Sequence, residues 1–525
     1  MKTNINNSYL YYVINMDCKY MYGLLLILLF FSNIHSFRGL SNRFHGKYRQ
    51  FYLKDKFQPV LEEKTVFIKH ENYLFNQLNN SFYAQIGSNP KHVEDEDYHW
   101  FDGDGMIHGL FMKDGHLIYQ NRWVQTKRLQ VEDKWKKKIY LYLGELKGLN
   151  GLVQIFKYSM LELLGFVPQA RGTANTAFMN WNNKIYALHE GDMPYELNID
   201  CKNYNISTVK RLHYNSVFST TAHPIVNKKK SHLYLYGYNN YDFIRGKFIF
   251  NVFDKKMNLL NQKNISLINN GMVHDVGYVN NYIVIPDMPL KYDINRIFKE
   301  KLPIYFDKKR GKTRFGILNI KKELVKWYNF KENFFIFHFA NVRKTSHKFI
   351  IHACVMEDLF VEDFIDINNI NNKDKELRGK LRLKEIHIDI YRNKTKIITN
   401  PYIEDLNIGF SYNLDFPIHS KLDENKIYMC IFDAKSGYIR GYILIDIDNF
   451  RYKKPDVFLF RDDIHGNCEP QVVVIDQNEY LLTFTNNNSM SHVSLLNINS
   501  NNYTSIPIPA RIPPGFHSIH YKHQT

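Results

Sequence analysis

The chain has 525 residues, of which 44% are hydrophobic and 15% aromatic, a composition that excludes a disordered protein. Lys and Arg total 69 against 52 Asp and Glu, and the resulting net charge of +17 fits a nucleic-acid or anionic-membrane ligand. No nucleic-acid-binding module is recognisable, and the lysines are dispersed among Asn and Ile. We therefore expect no nucleic-acid partner.

The chain begins with a segment that resembles a targeting signal. The apolar run Met21–Phe31 is shorter than the about 20 residues of a membrane-spanning helix, and residues 1–36 are predicted as a signal peptide or signal anchor. Residues 37–56 are rich in Arg and Lys and nearly free of acids, and are predicted as a basic targeting or linker segment. This order predicts targeting to the secretory pathway and onward to a plastid bounded by extra membranes. Residence in the endoplasmic reticulum or secretion is the alternative.

Short strand-like runs fill residues 57–525. Examples are KIYALHE at 184–190, SHLYLYGY at 231–238 and KIYMCIF at 426–432. They alternate with period two and are rich in Ile, Tyr, Phe and Val, which is typical of strands. The pattern predicts an all-β fold, either a sandwich array or a propeller, in one domain.

The clearest helical pattern is Leu152–Phe166, LVQIFKYSMLELLGF, and Pro168 is predicted to end it. Its apolar residues are candidates for an exposed apolar surface. A buried packing helix is the alternative. The candidates are Leu152, Ile155, Phe156, Leu163, Leu164 and Phe166.

Four histidines lie directly beside apolar runs or tight turns: His223, His274, His338 and His517. They are too far apart for a local motif, but a radial fold could bring them to one axis. Four neutral imidazoles suit a ferrous, zinc or copper ion by ligand type. Four unrelated histidines are the alternative.

Longer motifs surround these residues. They are FQPVLEE (57–63), FYAQIGSNP (82–90), HWFDGDGMIHGLFMKDGHLIYQNRWVQTKR (99–128), ARGTANTAFMNWNNKIYALHEGDMPYELN (170–198) and ARIPPGFHSIH (510–520). In this order they resemble motifs of the carotenoid cleavage oxygenase family, which includes the stilbene-cleaving dioxygenases and the retinal-pigment isomerohydrolase. The resemblance covers residues 57–525.

The resemblance implies a fold and a cofactor. The fold would be a seven-bladed β-propeller with a helical and loop cap over an axial iron site. His223, His274, His338 and His517 would hold one Fe(2+) per chain, with O2 as co-substrate. Three glutamates would accept the other imidazole N–H groups and fix the orientation of the rings. They are placed at Glu190, Glu469 and Glu404, although PYIEDLNIG around Glu404 lacks the Pro and Arg of the family's EFPRIN element.

The implied function is that of a dioxygenase cleaving a double bond of a carotenoid or apocarotenoid to carbonyl products. The same iron site acting on a stilbene-like substrate, or as an isomerohydrolase, is one alternative. A non-catalytic lipid- or protein-binding propeller is another. Family members carry an apolar membrane-touching helix where this chain has Leu152–Phe166, so the resemblance makes the six apolar residues of that helix candidates for membrane contact at a tunnel mouth. The expected partners are a lipophilic polyene and a membrane surface, and the sequence indicates no oligomeric state.

Overall fold

The computed structural model describes residues 51–93, 98–213, 219–238, 246–359 and 379–522, which all lie in one structural unit, Arg49–Thr525. The predicted signal, residues 1–36, and the predicted targeting segment up to residue 50 lie outside the described residues. Strands dominate the fold, which confirms the predicted β class. They form antiparallel sheets.

The first sheet joins the beginning and the end of the described chain. Its strands are β1 (Thr65–Lys69), β2 (Ser81–Ser88), β3 (Gly105–Lys113), β4 (His116–Trp123) and β33 (Ser518–Lys522). Their spatial order is β1-β4-β3-β2-β33. Strand β2 is buried along its whole length, because β3 and β33 pair with its two edges.

Three antiparallel sheets follow in chain order. The first has β5 (Ala177–Trp181), β6 (Lys184–Leu188), β7 (Tyr195–Asp200) and β8 (Asn205–Arg211). The second has β9 (Ser219–Thr220), β10 (Ile225–Asn227), β11 (His232–Tyr238), β12 (Lys247–Phe253) and β13 (Leu259–Ser266). The third has β14 (Gly277–Val279), β15 (Tyr282–Asp287), β18 (Arg314–Asn319) and β19 (Leu324–Asn329), with the hairpin of β16 (Leu290–Tyr292) and β17 (Ile304–Phe306) inserted.

Two more sheets hold the remaining strands of the described residues. A four-stranded sheet has β20 (Phe335–Lys344), β21 (Lys348–Met356), β22 (Leu381–Asp389) and β23 (Lys394–Ile398). A nine-stranded sheet has β24 (Tyr412–His419), β25 (Lys426–Asp433), β26 (Ile439–Asp446), β27 (Asp456–Leu459), β28 (His465–Gly466), β29 (Gln471–Ile475), β30 (Asn478–Asn486), β31 (Ser491–Asn497) and β32 (Asn502–Ile508).

The core lies between neighbouring sheets, and strand β11 shows why the runs are apolar on both faces. Leu233 and Leu235 pack with residues of the preceding sheet such as Leu188. Tyr234 and Tyr236 point the other way, into a cluster with Ile283 and Ile285 of the following sheet. Since side chains alternate across a strand, a strand packed between two sheets needs apolar residues at every position.

In the part of the chain that the structure describes, helices are few and short. They are α1 (Tyr73–Asn76), α2 (Lys127–Trp135), α3 (Gly148–Leu163) and α4 (Pro401–Glu404), with 3-10 helices at Phe51–Leu53, Asp55–Phe57, Trp100–Asp102, Leu143–Glu145 and Ile294–Lys299. Among the described residues no helix is both long and apolar enough to span a bilayer.

The predicted helix is present, but with other ends. Helix α3 begins at Gly148, four residues before the predicted start, because the apolar pattern begins only in its second turn. It ends through Gly165, with φ +75°, and not through Pro168. The N–H of Gly165 donates to the Glu162 carbonyl and the N–H of Phe166 to that of Leu161. These are the two bonds of a Schellman motif.

The last residues of the predicted linker belong to the folded body. Tyr52 and Leu53 are buried, although residues 37–56 were expected to connect a signal to the domain. They pack because this short stretch carries large apolar side chains between its charged ones.

Candidate metal centre

Four imidazole rings meet at one point in the structure. The Nε2 atom of His274 lies 3.1 Å from Nε2 of His223 and 3.3 Å from Nε2 of His338. The ring of His517 lies 4.8 Å from the ring of His223 and 5.3 Å from that of His338, measured between centroids. The structure therefore brings together the four histidines selected from the sequence.

The first two histidines sit in turns that precede strands. His223 lies between β9 and β10, and its N–H donates to Oγ1 of Thr221 at 2.8 Å. His274 lies between β13 and β14. The hydroxyl of Tyr236 on β11 donates to the backbone carbonyls of His223 and His274, at 3.1 and 3.4 Å. One buried side chain thus joins the two turns.

The other two histidines are held by strand pairing. His338 lies in β20 where the pairing with β21 is irregular between Ile336 and Phe339, and such a bulge re-aims a side chain. His517 lies directly before β33. Its N–H donates to the Thr176 carbonyl at 3.3 Å, and its own carbonyl accepts from the Ile86 N–H at 3.0 Å.

Carboxylates contact the outer nitrogen of three rings. Nδ1 of His274 lies 2.6 Å from Glu190, and Nδ1 of His517 lies 3.1 Å from Glu469. Nδ1 of His338 lies 2.7 Å from Asp415. A carboxylate that accepts the Nδ1 proton leaves the Nε2 lone pair free to bind a cation.

Glu404 does not join this set. It ends helix α4, where its carboxylate pairs with Lys384 and lies 2.5 Å from Nζ of Lys380. The side chain that contacts His338 is Asp415, so the placement of the third carboxylate at Glu404 is corrected to Asp415. The physical reason is the two lysines, which neutralise Glu404 and hold it away from the histidines.

The backbone around Asp415 explains how the shorter acid reaches the ring. Pairing of β24 with β25 shifts between Asp415 and Ile418, and Phe416 adopts φ +55° there. The ring of Phe416 packs against His517 and His338, at 4.8 and 5.5 Å between centroids. The tripeptide Asp415-Phe416-Pro417 was the signal that could have located the site, since it matches the Glu-Phe-Pro of the family's element with one methylene fewer.

The electrostatics of the four rings differ. Burial opposes protonation of His338, but the nearby carboxylates, Asp415 first, raise its pKa to about 9. Burial and the three neighbouring imidazoles hold the pKa of His223 well below its usual range. Although burial opposes ionisation of Glu190, the adjacent His274 lowers the pKa of this carboxyl to about 2.

Asp275 is a further acid, half-buried, that the sequence did not single out. It follows His274 directly and accepts the Phe339 N–H at 2.8 Å. Burial raises its pKa, although His338 and the Phe339 N–H partly offset the lost hydration of its charge. It therefore ties the loop of His274 to the bulged strand that carries His338.

The arrangement fits a metal ion of the kind that imidazoles bind. Imidazole nitrogens bind first-row ions at about 2.1 Å, so two of them at a right angle stand about 3.0 Å apart. The Nε2 separations of 3.1 and 3.3 Å agree with that value. The ligand atoms of His223, His338 and His517 also lie within 4.8 Å of one another. Neutral imidazoles select transition metals over Mg2+ or Ca2+.

The predicted membrane residues are divided between two environments. Leu152, Ile155 and Phe156 are half-buried in helix α3, whereas Leu163, Leu164 and Phe166 at its end are 53–62% exposed. The helix packs against the 3-10 helix Ile294–Lys299, whose Phe298 is 67% exposed. Exposed apolar side chains therefore occur at the end of α3 and, separately, on a 3-10 helix that the sequence did not predict.

Comparison with known proteins decides the family. Residues 76–522 match the family model described as retinal pigment epithelial membrane protein. The chain belongs to this carotenoid cleavage oxygenase family. Membership makes it a dioxygenase-like oxidoreductase and confirms the resemblance drawn from the motifs. Carotenoid 9,10(9',10')-cleavage dioxygenase 1 of Arabidopsis thaliana is 26% identical over 503 residues, covering 89% of each chain.

Solved structures of the family share the fold. The lignostilbene dioxygenase of Pseudomonas brassicacearum aligns with a TM-score of 0.70 at 16% identity, over 90% of this chain and 99% of its own. Cobalt-substituted Synechocystis ACO aligns equally well, over 90% of this chain and 98% of its own. At such low identity these likenesses establish the fold alone.

Proposed function

We propose that the protein is a non-heme Fe(II) dioxygenase that cleaves a double bond of a carotenoid or apocarotenoid to two carbonyl products. The observation that carries the proposal is the convergence of four imidazoles, three of them backed by carboxylates. The carotenoid class is supported by the relative from Arabidopsis thaliana, which matches over nearly nine-tenths of each chain.

The protein's own residues would hold and orient the ion. His223, His274, His338 and His517 would each present Nε2, while Glu190, Asp415 and Glu469 would fix the Nδ1 protons. Bound Fe(II) would supply the reactivity toward dioxygen, with both oxygen atoms ending in the carbonyl products. This reaction needs no side chain as acid or base. Phe416 lies against His338 and His517 and would keep water from that side of the site.

The sheet order supports a seven-bladed propeller as the scaffold. Five of the sheets, beginning at β1, β5, β9, β14 and β20, are antiparallel with four or five strands. The nine-stranded sheet contains two further units, β24 to β27 and β29 to β32, joined through β28. These make seven units, and β33 pairs with β2 as a closing strand would. Helix α3 and the segments before β5 would form the cap.

Removing a ligand tests the metal site. His274→Ala or His517→Ala should abolish iron loading and cleavage together, measured by metal analysis and by product formation from apocarotenoids under labelled oxygen. His116→Ala is the matched control, because His116 is exposed on β4. If either ligand variant kept its iron and its activity, the assigned site would be wrong.

A substrate panel tests the reaction. Carotenoids, apocarotenoids, stilbenes and retinyl esters incubated with the Fe(II)-loaded protein should give labelled carbonyl products from the polyenes. Cleavage of stilbenes alone, or isomerisation without labelled oxygen in the product, would select the alternatives on the same site. Absence of iron after anaerobic reconstitution would favour a propeller that only binds a lipid or protein.

The exposed apolar surface would let the enzyme draw a lipophilic polyene from a membrane. Leu164 and Phe166 at the end of α3 are more than half exposed, and so is Phe298 on the 3-10 helix that packs against α3. Lys299 and Lys301 are exposed beside Phe298 and would favour anionic headgroups. Replacing Leu164 and Phe166 by Ser should reduce sedimentation with vesicles without changing iron content. Unchanged sedimentation would exclude this surface.

The address remains a proposal from the sequence. Residues 1–56 would direct the chain to the secretory pathway and onward to a plastid bounded by extra membranes, or alternatively to the endoplasmic reticulum or out of the cell. A fluorescent protein fused behind residues 1–56 would report the destination, and diffuse cytosolic fluorescence would contradict it.

A further inference from the structure

A short N-terminal segment, Tyr52–Phe57, packs against the folded domain, and we call it the strap. The side chains of Tyr52 and Phe57 are each 6% exposed, and Leu53 is fully buried. Nζ of Lys56 donates to the Asn487 carbonyl at 2.6 Å, which fixes the strap to the loop between β30 and β31. A segment so close to a basic, acid-poor leader would otherwise be expected to be solvated.

The strap begins a series of ring contacts. The ring of Tyr52 stacks on Trp100 at 5.7 Å, and the ring of Phe57 meets the same indole edge-on at 5.2 Å. Trp100 in turn packs against Phe516 at 4.3 Å. Trp100 therefore lies between the strap and Phe516, and all three contacts have separations at which aromatic pairs stabilise each other.

Phe516 connects this series to the candidate metal centre. It directly precedes His517, and its carbonyl accepts the backbone N–H of Glu469 at 3.0 Å. Glu469 is the acid that contacts Nδ1 of His517. A displacement of Phe516 would therefore move both the imidazole and the carboxylate that orients it.

We propose that Tyr52 and Phe57 are positioning residues for His517 and act on it through Trp100 and Phe516. The inference rests on the proposed function, because it takes His517 as a metal ligand. Protein interiors are close-packed, so removing the two strap rings leaves a cavity into which Trp100 relaxes and Phe516 follows. A corollary concerns processing: cleavage that removes the leader must fall before Tyr52, because a later cut removes part of the support of the site.

The test compares the full-length chain with Tyr52→Ala/Phe57→Ala. The control is Phe75→Ala, which removes a ring buried to 1% exposure in helix α1, in a core cluster that holds none of the four histidines. Each protein is titrated anaerobically with Fe(II) and, separately, with Co(II), whose absorption spectrum reports the ligand geometry. Thermal unfolding is recorded for all three, and the titrations are made well below the lowest transition.

The strap variant should bind both ions about tenfold more weakly and show a changed Co(II) spectrum, the size of effect seen when groups behind metal ligands are removed. The control should unfold at a lower temperature but keep its affinity and spectrum. The single variant Tyr52→Phe, which keeps both rings, should have the ion affinity and the Co(II) spectrum of the wild type. If the double variant does not fold, the single variant Phe57→Ala provides the same comparison with a smaller cavity next to Trp100.

Two outcomes would overturn the idea in different ways. A folded strap variant with unchanged affinity and spectrum removes the positioning role and leaves the proposed function intact. A full-length chain that binds neither ion contradicts the proposed function itself, and the strap proposal with it.

Discussion

His223 and His338 face the same point but are held in different ways. His338 is backed by Asp415, whose charge raises the pKa of the ring to about 9 despite burial. His223 is fixed through neutral groups, the hydroxyls of Thr221 and Tyr236, and burial with its imidazole neighbours lowers its pKa. The difference shows that one ion site can combine ligands oriented by charge with ligands oriented by backbone geometry.

Of the changes that test this difference between the two rings, removal of the carboxylate behind His338 should lower Fe(II) affinity the most. Asp415→Ala is expected to weaken Fe(II) binding 10- to 100-fold or so, because the ring loses the acceptor that fixes its tautomer. Titration with Fe(II) measures this loss of affinity. Glu404→Ala is the control, since its carboxylate pairs with Lys380 and Lys384, and it should bind iron like the wild type. If both variants lost Fe(II) affinity equally, Glu404 would again have to be counted as the third carboxylate.

The two rings should also respond oppositely to pH in the metal-free protein. The raised pKa of His338 stabilises the fold fully below about pH 6.5, and this contribution is lost as the pH rises toward 9. The lowered pKa of His223 has the reverse sign, so its contribution is lost as the pH falls below 6.5.

Thermal unfolding of metal-free wild type and Asp415→Asn between pH 6.5 and 9 measures the first of these slopes. The wild type should lose more stability than the variant over that range. Parallel curves would mean that Asp415 does not control the protonation of His338.

Weakening the turn of His223 should cost less. Thr221→Ala removes the acceptor of the His223 N–H and is expected to lower the free energy of unfolding by about 1 kcal/mol and iron affinity by less than tenfold. Thr221→Ser keeps the hydroxyl and should behave as wild type in chemical denaturation and metal titration. If Thr221→Ala lost as much iron affinity as Asp415→Ala, the hydroxyl contacts of His223 would matter as much as the carboxylate contact of His338, and the two rings would not differ as described.

The smallest effect is expected from Tyr236→Phe. The change removes one hydroxyl that donates to two carbonyls, at 3.1 and 3.4 Å, and leaves the ring in the core. Iron affinity should fall only a few-fold, by roughly the 1 kcal/mol of a single hydrogen bond. Tyr234→Phe, two residues earlier on the same face of β11, is the control, and its hydroxyl accepts from Asn227 outside the cluster. A larger loss of iron affinity in Tyr234→Phe than in Tyr236→Phe would contradict the role assigned to the Tyr236 hydroxyl.

The sequence was sufficient for the strands and the four histidines, because alternating apolar runs and the motifs around His223, His274, His338 and His517 are local signals. It was insufficient for Asp415, because only the short tripeptide Asp-Phe-Pro resembles the family's Glu-Phe-Pro element. The bulge that re-aims the side chain has no sequence signature of its own. Glu404 had the right residue type in a similar setting, but Lys380 and Lys384 reach it only through the fold.

The remaining differences also have physical reasons. The start of α3 at Gly148 could not be read from periodicity, because its first turn carries two glycines and an asparagine. The exposed Phe298 lies in a six-residue 3-10 helix, which is too short for an amphipathic pattern. Buried Tyr52 stands in a segment whose overall composition is that of a leader, and only tertiary contacts distinguish it from the rest of that segment.

Strand β33 has a consequence for how the protein is made. It is the last strand of the described chain to leave the ribosome, yet it pairs with β2, one of the first, and His517 immediately precedes it. Until it emerges, β2 exposes an unpaired edge and the histidine cluster lacks one member. Such long-range pairing is slow and leaves open strands prone to aggregation in the meantime. Completion of the histidine cluster is therefore a late step in folding, because it waits for the strand that carries the chain past His517.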